Sequence, residues 1–279
     1  MAPISIDGEE ITGATIDGEE VQEITVDGQV AYTAGPDIPD SVLTQDLVAW
    51  YRFEDGDARD SASSAEFPDV TWGDSTAYNG AVNGPNYLSS DGITDFENGA
   101  NSGVFNFDGA NDFIDGGAIS GAQFTSNESF TVTAWINPES QSSDYPMVIS
   151  PEDQSSTNNI WNFLQNDNSG TWTGFMKFRI VSSSDFVDLS NMSVPLNEYT
   201  HISFGYNAST NEAFEYTNGV ERDRINIDFS PVTYPGDWTI GAGNSSPEYN
   251  FGGRIDDVRI YNKALTNSEI SDIFNATKP

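Results

Sequence analysis

The chain has no cysteine and, in 279 residues, only ten lysines and arginines and one histidine. Without thiols there is no disulfide framework and no thiolate chemistry, so stability must come from packing, ions or association. So few cations exclude the basic surface that nucleic acids and anionic membranes require of a partner. There is no run of about 18 apolar residues, and membrane insertion by a spanning helix is excluded with it. The opening residues, MAPISIDGEE, carry neither a basic nor an apolar leader segment, so no secretory signal is legible and export by another route is expected.

What is there in excess is acid. Forty-four aspartates and glutamates against ten basic residues give 10 − 44 = −34, although charged residues make up only 19% of the chain. Such a surface repels itself in dilute buffer. At molar salt the screening length shrinks to about 3 Å and the repulsion collapses, which points to a hypersaline, extracellular setting. An acidic disordered chain is the alternative, but 37% hydrophobic and 12% aromatic content argues for a packed core.

The first thirty residues hold an internal repeat, with Asp-Gly at 7–8, 17–18 and 27–28, each pair flanked by β-branched residues. Asp-Gly between such residues is a strong hairpin signal, because both turn positions need positive φ. Strands this short cannot bury a core alone. Residues 1–33 are therefore expected to anchor the chain to a larger assembly or to copies of itself in a homo-oligomer, a trimer or pentamer, unless they pack on their own main domain. They resemble the short attachment modules of tailed-virus structural proteins, which implies other virion proteins as their partners. Residues 34–46, with two prolines and a glycine in Ala34-Gly-Pro-Asp-Ile-Pro-Asp-Ser41, read as a linker to a domain over 47–279.

That domain shows short alternating strands. Phe130, Val132, Ala134 and Ile136 face one way and Thr131, Thr133 and Trp135 the other, and Phe175–Val181 and Tyr199–Tyr206 repeat the pattern. Near the end, Asp256, Val258 and Ile260 are expected on one side of a strand, with Ile255, Asp257, Arg259 and Tyr261 on the other. A helix follows. Thr266 and Glu269 form a capping box, Leu265 and Ile270 a hydrophobic staple, and Ile270, Ile273 and Phe274 a buried stripe. The expected fold is all-β, a two-sheet antiparallel jelly-roll sandwich with a short C-terminal helix, preceded by a small β-hairpin-repeat module.

Four stretches in order, Phe105–Asp115, Ser129–Pro138, Tyr199–Val220 and the closing Gly-Arg-Ile-Asp-Asp-Val-Arg-Ile-Tyr of 253–261, resemble the laminin-G-like, concanavalin-A-like jelly-roll family. The resemblance implies that Leu47–Glu54 is a first strand pairing near the C-terminal one. It also implies a structural Ca2+ held by Asp108 and Asp112 in the Phe-Asp-Gly loop, Asp256 on the terminal strand and Glu54. Calcium takes such oxygen ligands at loop turns. For Asp256 the alternative is a hydrogen bond to a backbone amide or to Arg254 or Arg259, since an unpaired carboxylate beside Val258 and Ile260 is costly. His201 falls where the family has a structural histidine.

No strand has the alternating carboxylates that glycosidase chemistry needs about 5 Å apart, so no enzyme activity is expected. Aromatics outside the clean alternation, Trp72, Tyr145, Trp161, Trp172, Tyr234 and Tyr249, are the candidates to stack on sugar rings, core or edge cover being the alternative for each. Five Asn-x-Ser/Thr sequons start at Asn127, Asn191, Asn207, Asn244 and Asn275. Together these features point to a non-enzymatic virion surface protein of a halophilic virus that attaches to a host cell-surface glycan or S-layer glycoprotein. Pure capsid decoration and polysaccharide degradation are the alternatives.

Overall fold

The computed structural model describes the strand residues of the N-terminal repeat between 5 and 33, and residues 46–53, 80–93, 103–122, 124, 127–139, 145–151, 161–166, 172–182, 185–229, 231, 237–244 and 249–278. The repeat forms three two-stranded antiparallel ladders, β1 (Ser5–Ile6) with β2 (Glu9–Glu10), β3 (Thr15–Ile16) with β4 (Glu19–Glu20), and β5 (Glu23–Val26) with β6 (Gln29–Thr33). In each, the register leaves only the Asp-Gly pair between the strands, as the sequence predicts.

The remaining elements are β7 (Leu47–Tyr51), β8 (Ala81–Asn83), β9 (Asn86–Leu88), β10 (Val104–Asp108), β11 (Phe113–Ala118), β12 (Phe130–Pro138), β13 (Ile149–Pro151), β14 (Trp161–Asn166), β15 (Trp172–Val181), β16 (Phe186–Ser193), β17 (Thr200–Asn207), β18 (Glu212–Thr217), β19 (Val220–Asn226), β20 (Asp237–Ile240), β21 (Gly252–Tyr261) and helix α1 (Asn267–Thr277). One layer is an eight-stranded antiparallel sheet in the order β19-β18-β17-β12-β21-β10-β9, and β7 pairs with β21 beside β10. The second layer consists of the β13-β20-β11-β8 and β14-β15-β16 sheets. β21 is the centre of the large sheet. Its whole length pairs with β12 on one side, while on the other Gly252–Ile255 pair with β10 and Val258–Tyr261 with β7.

The core lies between the layers. Phe130, Val132, Ala134 and Ile136 of β12, Ile202, Phe204 and Tyr206 of β17, and Ile255, Val258 and Ile260 of β21 pack with Ile114, Trp238, Ile240, Met176, Phe178, Ile180, Leu189 and Met192 of the smaller sheets. Each of the larger of these side chains contributes about 1.5–3 kcal/mol by leaving water.

The strict alternation expected along β21 fails at one point. Thr133 pairs with Arg259 but Trp135 with Asp256, so two steps along β12 match three along β21, and Asp257 occupies the bulge at φ 48°. Aspartate is among the few residues that tolerate this conformation. The bulge lets Ile255 and Val258 both face inward. Asp256, paired with Trp135, therefore does not share a face with Val258 and Ile260.

Helix α1 covers the opposite face of the large sheet. Its Ile270, Ile273 and Ala276 join Leu47, Trp50, Phe214, Tyr216, Tyr261 and Leu265 in a second apolar cluster, and Phe274 lies 5.7 Å from the Trp135 ring. Thr266 caps the helix with the reciprocal Glu269 contact, and Lys263 reaches Glu269 at 2.7 Å. At the far end, the Thr277 hydroxyl accepts from Trp135 Nε1 and donates to the Ile273 carbonyl, riveting the last turn to the sheet.

Candidate functional site

The proposed calcium ligands come out in two places. Asp108 Oδ1 accepts the amides of Ala110 and Asn111, and Asp112 Oδ2 accepts that of Asp108, so the Phe-Asp-Gly loop is folded on its own carboxylates. Asp112 is buried, and that burial raises its pKa, opposed by the Asp108 amide and reinforced by the Asp108 charge. Gly84, at φ +97°, must lack a side chain, since a Cβ there would stand 2.1 Å from Asp112 Oδ1.

Asp108 pairs with Gly252, four positions along β21 from Asp256, or about 13 Å at strand spacing. Asp256 is buried and accepts the amides of Ile93 at 3.1 Å and Asp257 at 2.8 Å. Glu54 lies outside the described residues, among which no three metal-ligating side chains converge. The aspartates therefore do not fit one calcium cage.

Under α1 sits a polar cluster that is wholly buried. Arg259 Nε donates to Asp257 Oδ1 at 3.0 Å, Trp50 Nε1 donates to the same oxygen at 2.5 Å, and the guanidinium lies 4.4 Å over the Trp50 ring. His201, 5.2 Å from the Trp135 ring, is held down to a pKa of about 3, first by burial and then by the Arg259 charge. Neither group meets solvent.

A second cluster of similar chemistry is open. On the outer face of the β14-β15-β16 sheet, Arg179 grips Asp188 through Nε at 2.5 Å and one Nη at 2.8 Å, while Lys177 approaches the same carboxylate at 3.6 Å. Hydrogen bonding to Asp188 is the main cause of a raised Arg179 pKa, offset by burial and supported by the Asp188 and Tyr145 charges. The guanidinium stacks 4.2 Å over Phe186, which is 58% exposed. Tyr145, 47% exposed, is within electrostatic reach of Arg179, and the carbonyl of Tyr249, itself 37% exposed, accepts the Met147 amide and laces its loop to that of Tyr145.

Of the six aromatic candidates, Tyr145 and Tyr249 thus lie on two loops joined by a backbone hydrogen bond. The β14-β15 register sets Trp161 opposite Arg179 and Trp172 opposite Asn166. Trp72 and Tyr234 lie outside the described residues. Sequence reasoning missed Phe186, Arg179 and Asp188. The available signal was an Arg and an Asp at strand positions either side of a short polar turn, Ser182–Asp185.

The sequence profile described as concanavalin A-like lectin/glucanases superfamily (Laminin_G_3) matches residues 108–271, more than half of the chain. The chain belongs to this superfamily. No curated protein matches it in sequence. Among solved structures, this lectin-like fold is similar to domain 4 of AbnA, a GH43 extracellular arabinanase from Geobacillus stearothermophilus, solved in complex with arabinotriose. The two are 21% identical with a TM-score of 0.59, over 82% of this chain and 98% of that one. It is also similar to the binding domain of Paraclostridial Mosquitocidal Protein 1 (17% identity, TM-score 0.57) and the receptor binding domain of botulinum neurotoxin D (16%, TM-score 0.58). These matches cover 83% and 84% of this chain but only 52% and 53% of the toxin domains.

A superfamily that includes glucanases makes carboxylate pairs worth locating. One exists that the sequence did not reveal, because its members are on different strands. Glu215 of β18 pairs with Asp223 of β19, and Asn191 of β16 bridges them, its amide donating to Glu215 Oε1 and its side chain to Asp223 Oδ2. Glu215 is fully buried, which pushes its pKa up to about 7 against the Asn191 amide, with Asp223 adding to the rise. A carboxyl sealed from solvent cannot reach a glycosidic bond. The pair instead clamps β16 to the large sheet.

Proposed function

We propose that this lectin-like domain is a non-enzymatic attachment module, holding a neutral, hydroxyl-rich glycan against the outer face of β14-β15-β16. The observation that carries the reading is the pair of exposed rings, Phe186 and Tyr145, beside the Arg179–Asp188 fork. Exposed rings offer flat apolar faces to the C–H face of a sugar, and a locked guanidinium and carboxylate offer donors and acceptors to its hydroxyls. Both cations lean on Asp188, so no free guanidinium fork is left for a bidentate grip on a ligand carboxylate. The net charge of −34 further disfavours anionic polymers. Similar domains in an arabinanase and in two toxins, one solved with arabinotriose and the others described as binding domains, support the reading.

The wider setting we infer is the surface of a virus particle in brine, with the repeated hairpins as the foot and a host glycan or S-layer glycoprotein as the target. It is supported by the acidic composition and by three ladders of two to five residues per strand, too short to stand alone. The deciding experiment is a glycan array followed by calorimetry in molar salt. A neutral oligosaccharide should bind, and Phe186→Ala and Tyr145→Ala should each weaken it about tenfold, or about 1.4 kcal/mol, with unchanged melting temperature. Absence of binding to every host surface component would remove the attachment role, and preference for a uronic-acid polymer would remove the neutral specificity.

A further inference from the structure

Five sequons are present in the sequence, and the fold treats them differently. Asn191 lies in β16, and its Nδ2, the atom that would carry a sugar, donates to Asp223 Oδ2 at 2.9 Å. The Asn275 sequon depends on Thr277, whose hydroxyl is buried between Trp135 Nε1 and the Ile273 carbonyl. Ser246 of the Asn244 sequon lies outside the described residues. Ser129 of the Asn127 sequon is half-buried, and its hydroxyl accepts the Ala208 amide at 3.0 Å, pinning the turn that follows β17.

That turn carries the fifth. Asn207 ends β17, and Ser209 and Thr210 beyond it are exposed. Asn207 Oδ1 accepts both the Ser209 amide at 3.0 Å and the Ser209 hydroxyl at 2.7 Å, and among the described residues Nδ2 has no acceptor. Two donors on the carbonyl oxygen draw density from the amide and ease removal of a proton from its nitrogen. The sequon hydroxyl is therefore engaged with its own asparagine, in a turn held from beneath by Ser129.

We propose that Asn207 is an acceptor of N-linked glycan in the folded protein. The co-substrate is a lipid pyrophosphate-linked oligosaccharide presented by an oligosaccharyltransferase. Nδ2 forms the bond to sugar C1, the C1–O bond to pyrophosphate breaks and the pyrophosphate leaves with the electron pair. The amide proton passes to a base of the transferase.

The test incubates folded full-length protein with an oligosaccharyltransferase and its lipid-linked donor, followed by intact mass and glycopeptide mapping. One glycan mass should map to Asn207, vanish in Asn207→Gln and Ser209→Ala, and persist in Ser209→Thr, Asn191→Gln and Asn275→Gln. Circular dichroism of each variant separates loss of the acceptor from loss of fold. An unmodified Asn207 under conditions that glycosylate a reporter sequon peptide overturns the proposal. So does equal occupancy at Asn191 or Asn275 in the folded chain.

Discussion

Two places in this molecule use the same three components, a guanidinium over an aromatic ring and an aspartate to hold it. In one, Arg259, Trp50 and Asp257 lie beneath α1 with side-chain exposures of 0% and 5% for the ion pair. In the other, Arg179, Phe186 and Asp188 lie on a sheet face that no described helix covers, with 28% and 19%. Chemistry does not separate them, but cover does. The helix turns the first into a bolt, because a desolvated charge that loses its partner is left stranded. The second keeps its ring and its polar edges available to a ligand, and it is tied by two hydrogen bonds where the buried arginine has one with its aspartate.

Breaking each pair in turn should give the largest contrast. Arg259→Met strands the Asp257 carboxylate and is expected to cost about 3–5 kcal/mol, part of which Asp257→Asn should restore. Arg179→Met should cost less than about 1 kcal/mol. Denaturant unfolding in molar salt measures both, and equal costs would abolish the distinction.

Next in size is the dependence on pH. Glu215 rises from 4.5 to about 7 on folding, so between those values the native state binds more protons than the unfolded one. Stability from this group is full below about pH 4.5 and is lost as pH rises through about 7, by about 3 kcal/mol at most. His201, lowered from 6.5 to about 3, works in the opposite sense, its contribution being present above 6.5 and lost as pH falls toward 3. Melting curves of Glu215→Gln against the parent should lack the decline between about pH 5 and 7. An identical decline in the variant would assign it elsewhere. Smallest is the helix cap that keeps the buried cluster covered. Thr266→Ala should lower stability by about 1 kcal/mol without changing ligand affinity, and a matching loss of affinity would mean that the two clusters are coupled.

Much of the sandwich was legible because its strands alternate apolar and polar residues, a period that survives even in β12, where every residue is buried. Phe130–Pro138 and Thr200–Asn207 fall where the apolar period places them, and β7 pairs with β21 as expected. The Thr266–Glu269 box was readable because capping is local chemistry over four residues. The bulge at Asp257 was not, since one extra residue leaves no mark on composition and yet reverses the side on which Asp256 falls. Tyr145 and Tyr249 stood out as aromatics outside the alternation. Arg179–Asp188 and Glu215–Asp223 did not, because each is made across two strands, and register is set by packing that periodicity does not encode.

The position of β21 also constrains how the protein is made. Tyr51 pairs with Val258 and Trp50 with Arg259, so an early strand waits for one synthesised about two hundred residues later. At ribosomal speeds of about 5–20 residues per second that delay is about 10–40 s. Throughout it, the strand that Leu47–Tyr51 will pair with, and against which all five of its residues end up buried, is still to come. A nascent chain of this design carries an apolar strand ahead of its partner, and its large sheet closes only as the last strand emerges.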